Sequence, residues 1–227
     1  MHAVTVWQRG SELFTPRAWA AWLLLPLSAL ALTSTSSTAP LQPEAASGLT
    51  TKTDVYGRKA MVATAHPLAT QAASDMLRAG GSAVDAAIAA QMVLGLVEPQ
   101  SSGIGGGAFM LFYDPTRSSQ RLLTYDGRET APSGAREDLF LKDGQPMAFA
   151  DVVAGGRAVG TPGVVRMLAQ AHLRHGKLPW ARLFMPAVKL AEQGFAISPR
   201  LHTLLQADPH LRKDPAARRY FYDDDGN

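Results

Sequence analysis

An α+β fold is predicted by three features of the sequence. Apolar residues recur at helical spacing between Gly and Pro stops, most clearly over 67–81 and 164–176. Two β-prone runs, AFMLFY (108–113) and RLLTYD (121–126), flank a polar turn and read as an antiparallel hairpin. Hydrophobic residues are 46% and charged residues 18%, a globular balance that excludes a disordered chain.

The length, 227 residues, suits one domain or part of a larger one. With 20 Gly and 15 Pro but no three-residue period, a collagen is excluded. The formal net charge of +3 is small and scattered, so no nucleic-acid partner is expected. The chain has 0 Cys, which excludes a disulfide framework, a Cys-ligated metal site and a cysteine nucleophile.

The first forty residues read as a separate object. Ala18–Leu32 (AWAAWLLLPLSALAL) carries no charge. It is too short to span a hydrocarbon core of ~30 Å comfortably, but it fits the apolar region of a secretory signal. Small residues follow around Ala31–Ala39, where cleavage is expected. The other reading is an uncleaved anchor, with transient membrane contact through residues 18–32. Pro40–Asp54 is a flexible lead-in. The expected organisation is therefore 1–39 signal or anchor, 40–55 lead-in, and 56–227 folded portion, with an exported, periplasmic destination.

KAMVAT (59–64) is a short β-prone run. Pro67 then opens a helix that Gly80-Gly81 stops, with Ala69, Ala72, Ala73, Met76 and Leu77 on its apolar face. Ser82 with Asp85 reads as an N-cap and acidic first turn for a second helix, AVDAAIAAQMVLGLVE, ended by Pro99. This helix is apolar nearly all round, so it needs cover on several sides. The Gly-rich loop SSGIGGG (101–107) leads into the hairpin. Asp143-Gly144 marks a turn, and Gly155-Gly156 with Gly160, Pro162 and Gly163 marks a second glycine-rich connection. A helix from Val164 is closed by Gly176. Another runs from Pro179 through WARLFMPAVKLAEQG, with Pro186 kinking or splitting it. Residues 198–207 form one more helix, and RRYFYDDDGN is an aromatic run followed by a turn.

Gly103-x-Gly105-x-x-Ala108 matches a loose dinucleotide fingerprint, but a helix precedes it and a strand follows. Pyrophosphate binding needs the reverse order, so the loop is read as a close backbone approach. His172 and His175 share a helix face and read as solvated, without a third ligand for a metal. His66 before Pro67 reads as structural. No G-x-S-x-G or H-E-x-x-H occurs. Arg128, in DGRETAP where a hairpin strand runs out, offers a planar fork for a carboxylate. Spacing alone favours a surface arginine paired with Glu129 or Asp126.

GRKAMVATAHPLATQAASDMLRAGGSAVDAAIAAQMVLGLVEPQSSGIGGGAFMLFYD resembles the start of the gamma-glutamyltranspeptidases (glutathione hydrolases). YDGRETAP looks like that family's strand-end arginine motif, and AVGTPGVVRMLAQAHLRHGKLPWARLFMPAVKLAEQGFAIS resembles its next stretch. The resemblance covers about Tyr56 to the C-terminus. It implies an N-terminal-nucleophile hydrolase, an αββα sandwich incomplete in this chain, and no cofactor or metal. It further implies a precursor that cuts itself into two subunits, freeing a threonine that attacks a gamma-glutamyl amide such as that of glutathione. Arg128 then matches the arginine that holds the substrate α-carboxylate. The nucleophile motif, two threonines followed by histidine, does not occur: Thr50-Thr51 precedes Lys52, and Thr130 and Thr161 lie inside other motifs. No catalytic residue is therefore expected in this chain, which reads as a large-subunit fragment, inactive alone, exposing apolar patches and missing a small subunit. The alternatives are a related amidase, such as a cephalosporin-type acylase, or a non-catalytic binding protein. A separately encoded second half would serve that last reading.

Overall fold

A computed structural model describes residues 53–226. Within them the chain is α+β. It carries a core in which three helices pack on a central fourth, two small antiparallel pairs and a C-terminal helical cluster.

Helix α1 (Pro67–Arg78) begins where His66 caps it, its Nδ1 accepting from the Leu68 N–H at 3.2 Å. The structural role expected of His66 is thus observed. Ala69, Ala72, Ala73 and Met76 are buried, and Leu77 packs against the same core. Helix α2 (Ala83–Val97) starts with a reciprocal capping box between Ser82 and Asp85. Its apolar girth is covered mainly by α1 and by α5 (Trp180–Gln193), with α4 (Val164–His175) on a further side. Ile88, Ala89, Val93 and Val97 are fully buried.

Strands β1 (Phe109–Tyr113) and β2 (Leu122–Asp126) pair antiparallel, with Met110 opposite Tyr125 and Phe112 opposite Leu123 on the inner face. The other face is apolar and bare: Phe109, Leu111, Tyr113 and Leu122 are all more than half exposed. The expected apolar patch therefore lies on the hairpin, not on α2. Strands β3 (Leu141–Lys142) and β4 (Gln145–Pro146) form a second pair, turned by Asp143 and Gly144 at φ 54° and 74°. The two pairs do not join into one sheet. The sandwich is correspondingly incomplete among the described residues.

The structure departs from the sequence reading, or adds to it, at several points. KAMVAT is extended but not a strand, because no strand among the described residues pairs with it. Val62 still turns onto the core while its neighbours are exposed. Of the two outcomes expected at Pro186, splitting does not occur: α5 runs as one helix, with Leu183, fully buried, and Phe184, Ala187 and Leu190 packed on the core on both sides of the proline. The short helix α3 (Phe149–Val153) was not foreseen. The aromatic run RRYF, given no element by the sequence reading, belongs to a helix. After α6 (Pro199–Ala207), Asp214 caps α7 (Pro215–Phe221) by accepting from Ala216 and Ala217 at 3.0 and 2.7 Å. Tyr222 closes this cluster, donating to the Leu205 carbonyl at 2.6 Å and packing with Leu201.

The two histidines of α4 are not a solvated face. His172 approaches the buried Asp85 carboxylate at 3.5 Å and the Leu178 carbonyl at 2.9 Å. His175 stacks on Phe112 with centroids 3.9 Å apart and meets the Tyr125 hydroxyl at 2.7 Å, fastening α4 to the hairpin. Burial, then the cations of Arg117 and Arg174, lower the His175 pKa, while Asp114 opposes them. The folded state therefore favours the neutral ring. Stability should be intact above the ordinary imidazole pKa and should fall as pH drops from there toward the lowered value. Thermal melts at about pH 7.5 and about pH 5 should show this acid loss, smaller in His175→Gln. Equal losses in both proteins would refute it.

The segment 18–32 and the signal boundary lie outside the described residues. Among those described, no helix is long and apolar enough to cross a membrane.

Candidate functional site

Arg128 follows the last residue of β2 by two positions, on a junction built almost wholly from backbone. Gly127 and Ala108 exchange two main-chain hydrogen bonds, at 2.9 and 3.2 Å, extending the hairpin ladder by one pair. Thr130 and Thr161 form an isolated antiparallel bridge, with bonds of 3.3 and 2.9 Å. The Gly106 carbonyl accepts from the N–H groups of Gly163 and Val164, at 3.2 Å each, and so caps the start of α4. The two glycine-rich connections seen in the sequence thus meet at the strand end that carries Arg128.

Glycine is needed here for room. A Cβ on Gly107 would meet the Gly127 carbonyl oxygen at 2.8 Å, and one on Gly127 would meet Met167 Cβ at 2.6 Å. The close backbone approach read for the loop is thus found at its last glycine, Gly107, and not at Gly103 or Gly105, whose surroundings are open; β1 follows the loop, not a helix.

The Arg128 side chain is 71% exposed. Its main-chain N–H donates to Asp126 Oδ1 at 2.9 Å, and its Nε stands 3.4 Å from Glu129 Oε2. Of the two acids that spacing proposed as partners, Glu129 pairs with the guanidinium, while Asp126 takes the main-chain N–H. An ion pair this exposed contributes about 0–1 kcal/mol, and its 3.4 Å contact is made through Nε. The Nη1/Nη2 edge is the one suited to a bidentate carboxylate. Glu129 is half-buried, packed over Gly106 and Gly107 and against Gly160.

The sequence reading missed the partnership of Arg128 with the 160–163 connection, although it marked both segments. It also missed what Asp85 does beyond capping. Asp85 is fully buried, and one oxygen, Oδ2, accepts from Ser82, Lys177 and Leu178 N–H at 2.8, 2.9 and 3.2 Å. Burial pushes its pKa up, but these donors outweigh it and hold the carboxyl below the ordinary aspartate value. No group of three or more His, Cys, Asp or Glu suited to a metal occurs among the described residues.

Residues 69–227 match the protein family described as Gamma-glutamyltranspeptidase. The chain belongs to this family. A glutathione hydrolase proenzyme of Bacillus subtilis is 45% identical over 142 residues, 62% of this chain and 24% of that protein. The gamma-glutamyltranspeptidase of Helicobacter pylori superposes with a TM-score of 0.69 at 30% identity, covering 76% of this chain and 49% of that one. A cephalosporin acylase from Bacillus halodurans gives a TM-score of 0.56 at 29% identity, covering 82% and 32%. The chain thus spans about a quarter of the curated relative's length. Its α+β fold is part of the N-terminal-nucleophile hydrolase fold of these gamma-glutamyltranspeptidases.

Proposed function

We propose that residues 56–227 form part of the large subunit of a gamma-glutamyltransferase or glutathione hydrolase, and that Arg128 binds the α-carboxylate of the gamma-glutamyl substrate. The observation that carries this reading is the exposed guanidinium at the end of a strand whose main chain is paired on both sides of it. Membership of the family supports it. The nucleophile is a threonine on a second segment, freed when the precursor cuts itself. Its Oγ bonds to the substrate's γ-carbonyl carbon, the amide C–N bond breaks, and the amine departs with a proton. Water or an amino acid then takes the glutamyl group from the acyl-enzyme. Arg128 fixes the acidic end of the substrate so that the reacting carbonyl is held in place.

The bare outer face of the hairpin fits this picture, as a surface to be covered by the remaining parts of a sandwich. The leader over 1–39 sends the enzyme to the periplasm. The purified 227-residue chain should release no dye from gamma-glutamyl 4-nitroanilide, whereas the complete processed enzyme should. Turnover by the chain alone would overturn the assignment of the nucleophile.

A second reading is favoured by the cephalosporin acylase neighbour: a related amidase that takes an acyl group with a terminal carboxylate. Dye release from gamma-glutamyl anilide with none from a glutaryl amide excludes it.

A further inference from the structure

We propose that Gly163 is a positioning residue for Arg128, acting through main-chain contact with the strand end that carries the arginine. This rests on the assignment of Arg128 as the carboxylate-binding group. Three contacts hold the backbone around Arg128. Ala108 pairs with Gly127 before it, and Thr161 pairs with Thr130 after it. Between these, Gly163 lies directly against two carbonyls. A Cβ on Gly163 would overlap the Gly127 oxygen and stand 2.8 Å from both the Gly127 carbonyl carbon and the Arg128 oxygen.

Those neighbours are backbone atoms, so they cannot swing aside as a side chain can. Gly163 has φ −116°, a conformation open to any residue. Glycine is therefore present for space and not for its backbone freedom. Gly163 cannot easily retreat either. Its own N–H and that of Val164 bond to Gly106 at 3.2 Å, its carbonyl accepts from Met167 at 2.9 Å, and Val164 is 1% exposed. An added methyl group must then be accommodated by the strand end, and Arg128 moves with it. The Arg128 side chain, mostly exposed and held only by its pair with Glu129 among the described residues, has little packing to correct the displacement. The glycine connection at 160–163 would serve as the rest against which the substrate-gripping arginine is set.

The test uses the complete, self-processed enzyme and two dyes: gamma-glutamyl 4-nitroanilide, and 4-aminobutanoyl 4-nitroanilide, which lacks only the α-carboxylate. Gly163→Ala should raise KM for the gamma-glutamyl dye by about tenfold, with kcat changed by less than about threefold. The preference for the gamma-glutamyl dye, as a ratio of kcat/KM values, should fall by about the same tenfold. Gly134→Ala, at an exposed glycine with nothing within 4 Å of its Cβ, should leave the ratio unchanged. Pro162→Gly loosens the connection without adding atoms, and should lower the ratio by about threefold. It decides the matter if Gly163→Ala fails to fold or process. Equal losses on both dyes, or an unchanged ratio, would overturn the positioning role. Arg128→Lys in the same assay separates the two claims. If it collapses the preference and the variants at 162 and 163 do not, only the positioning role falls. If it leaves the preference intact, the binding assignment falls and takes this role with it.

Discussion

Asp85→Ala should lower the stability of the fold by about 3–5 kcal/mol, the largest effect expected of any single change at a polar side chain here. The carboxylate is fully buried and joins three backbone donors from two distant stretches, Ser82 at the start of α2 and Lys177-Leu178 between α4 and α5. Truncation leaves three main-chain N–H groups without their acceptor and removes the carboxylate facing His172. For a domain of this size the loss corresponds to a fall in Tm on the order of 10 °C, read by thermal denaturation. Asp85→Asn keeps an acceptor oxygen for those donors and should lose less than half as much. The folded pKa is depressed, so this contribution is complete above the ordinary aspartate pKa and disappears as pH falls through the lowered value. A variant Asp85→Ala melting within about 2 °C of the parent would show that the three donors find water instead.

Arg128→Lys should raise KM for gamma-glutamyl 4-nitroanilide in the complete enzyme by about 10–100-fold, or roughly 1.4–2.8 kcal/mol of binding. Lysine keeps the charge but replaces a planar two-donor fork by a point charge on a flexible stem. Its effect isolates geometry from electrostatics. Loss of the exposed Glu129 pair contributes little, because solvent screens it. Tm should therefore move by less than about 2 °C. An unchanged KM would remove the binding role, and a large fall in Tm would recast Arg128 as a structural residue.

What could be read from the sequence was what is decided locally. His66, Pro67, Ser82 and Asp85 announce two helix starts within a few residues of where they act. The hairpin follows from two β-prone runs and a polar turn. The α7 helix carries an equally local cue, Asp214 followed by Pro215, but the sequence reading of the segment is only an aromatic run and a turn. KAMVAT has strand propensity, yet a strand needs a partner, and propensity says nothing of partners. The grip of Asp85 on residues 177 and 178 crosses 92 positions, which no periodicity reveals. The solvated reading of His172 and His175 failed for the same reason: Asp85, Phe112 and Tyr125 are brought to them only by the fold. At the candidate site, position alone made Arg128 one surface cation among many, and family resemblance singled it out. Its backbone clamp is invisible in sequence because the partners at 106–108 and 160–163 lie twenty to thirty-five residues away.

That clamp is assembled from peptide groups, and peptide groups are common to every amino acid. Substitutions of the exposed side chains around the arginine should therefore leave its main chain where it is. The exceptions are the few places where two stretches of main chain touch, and there any methyl group is one too many.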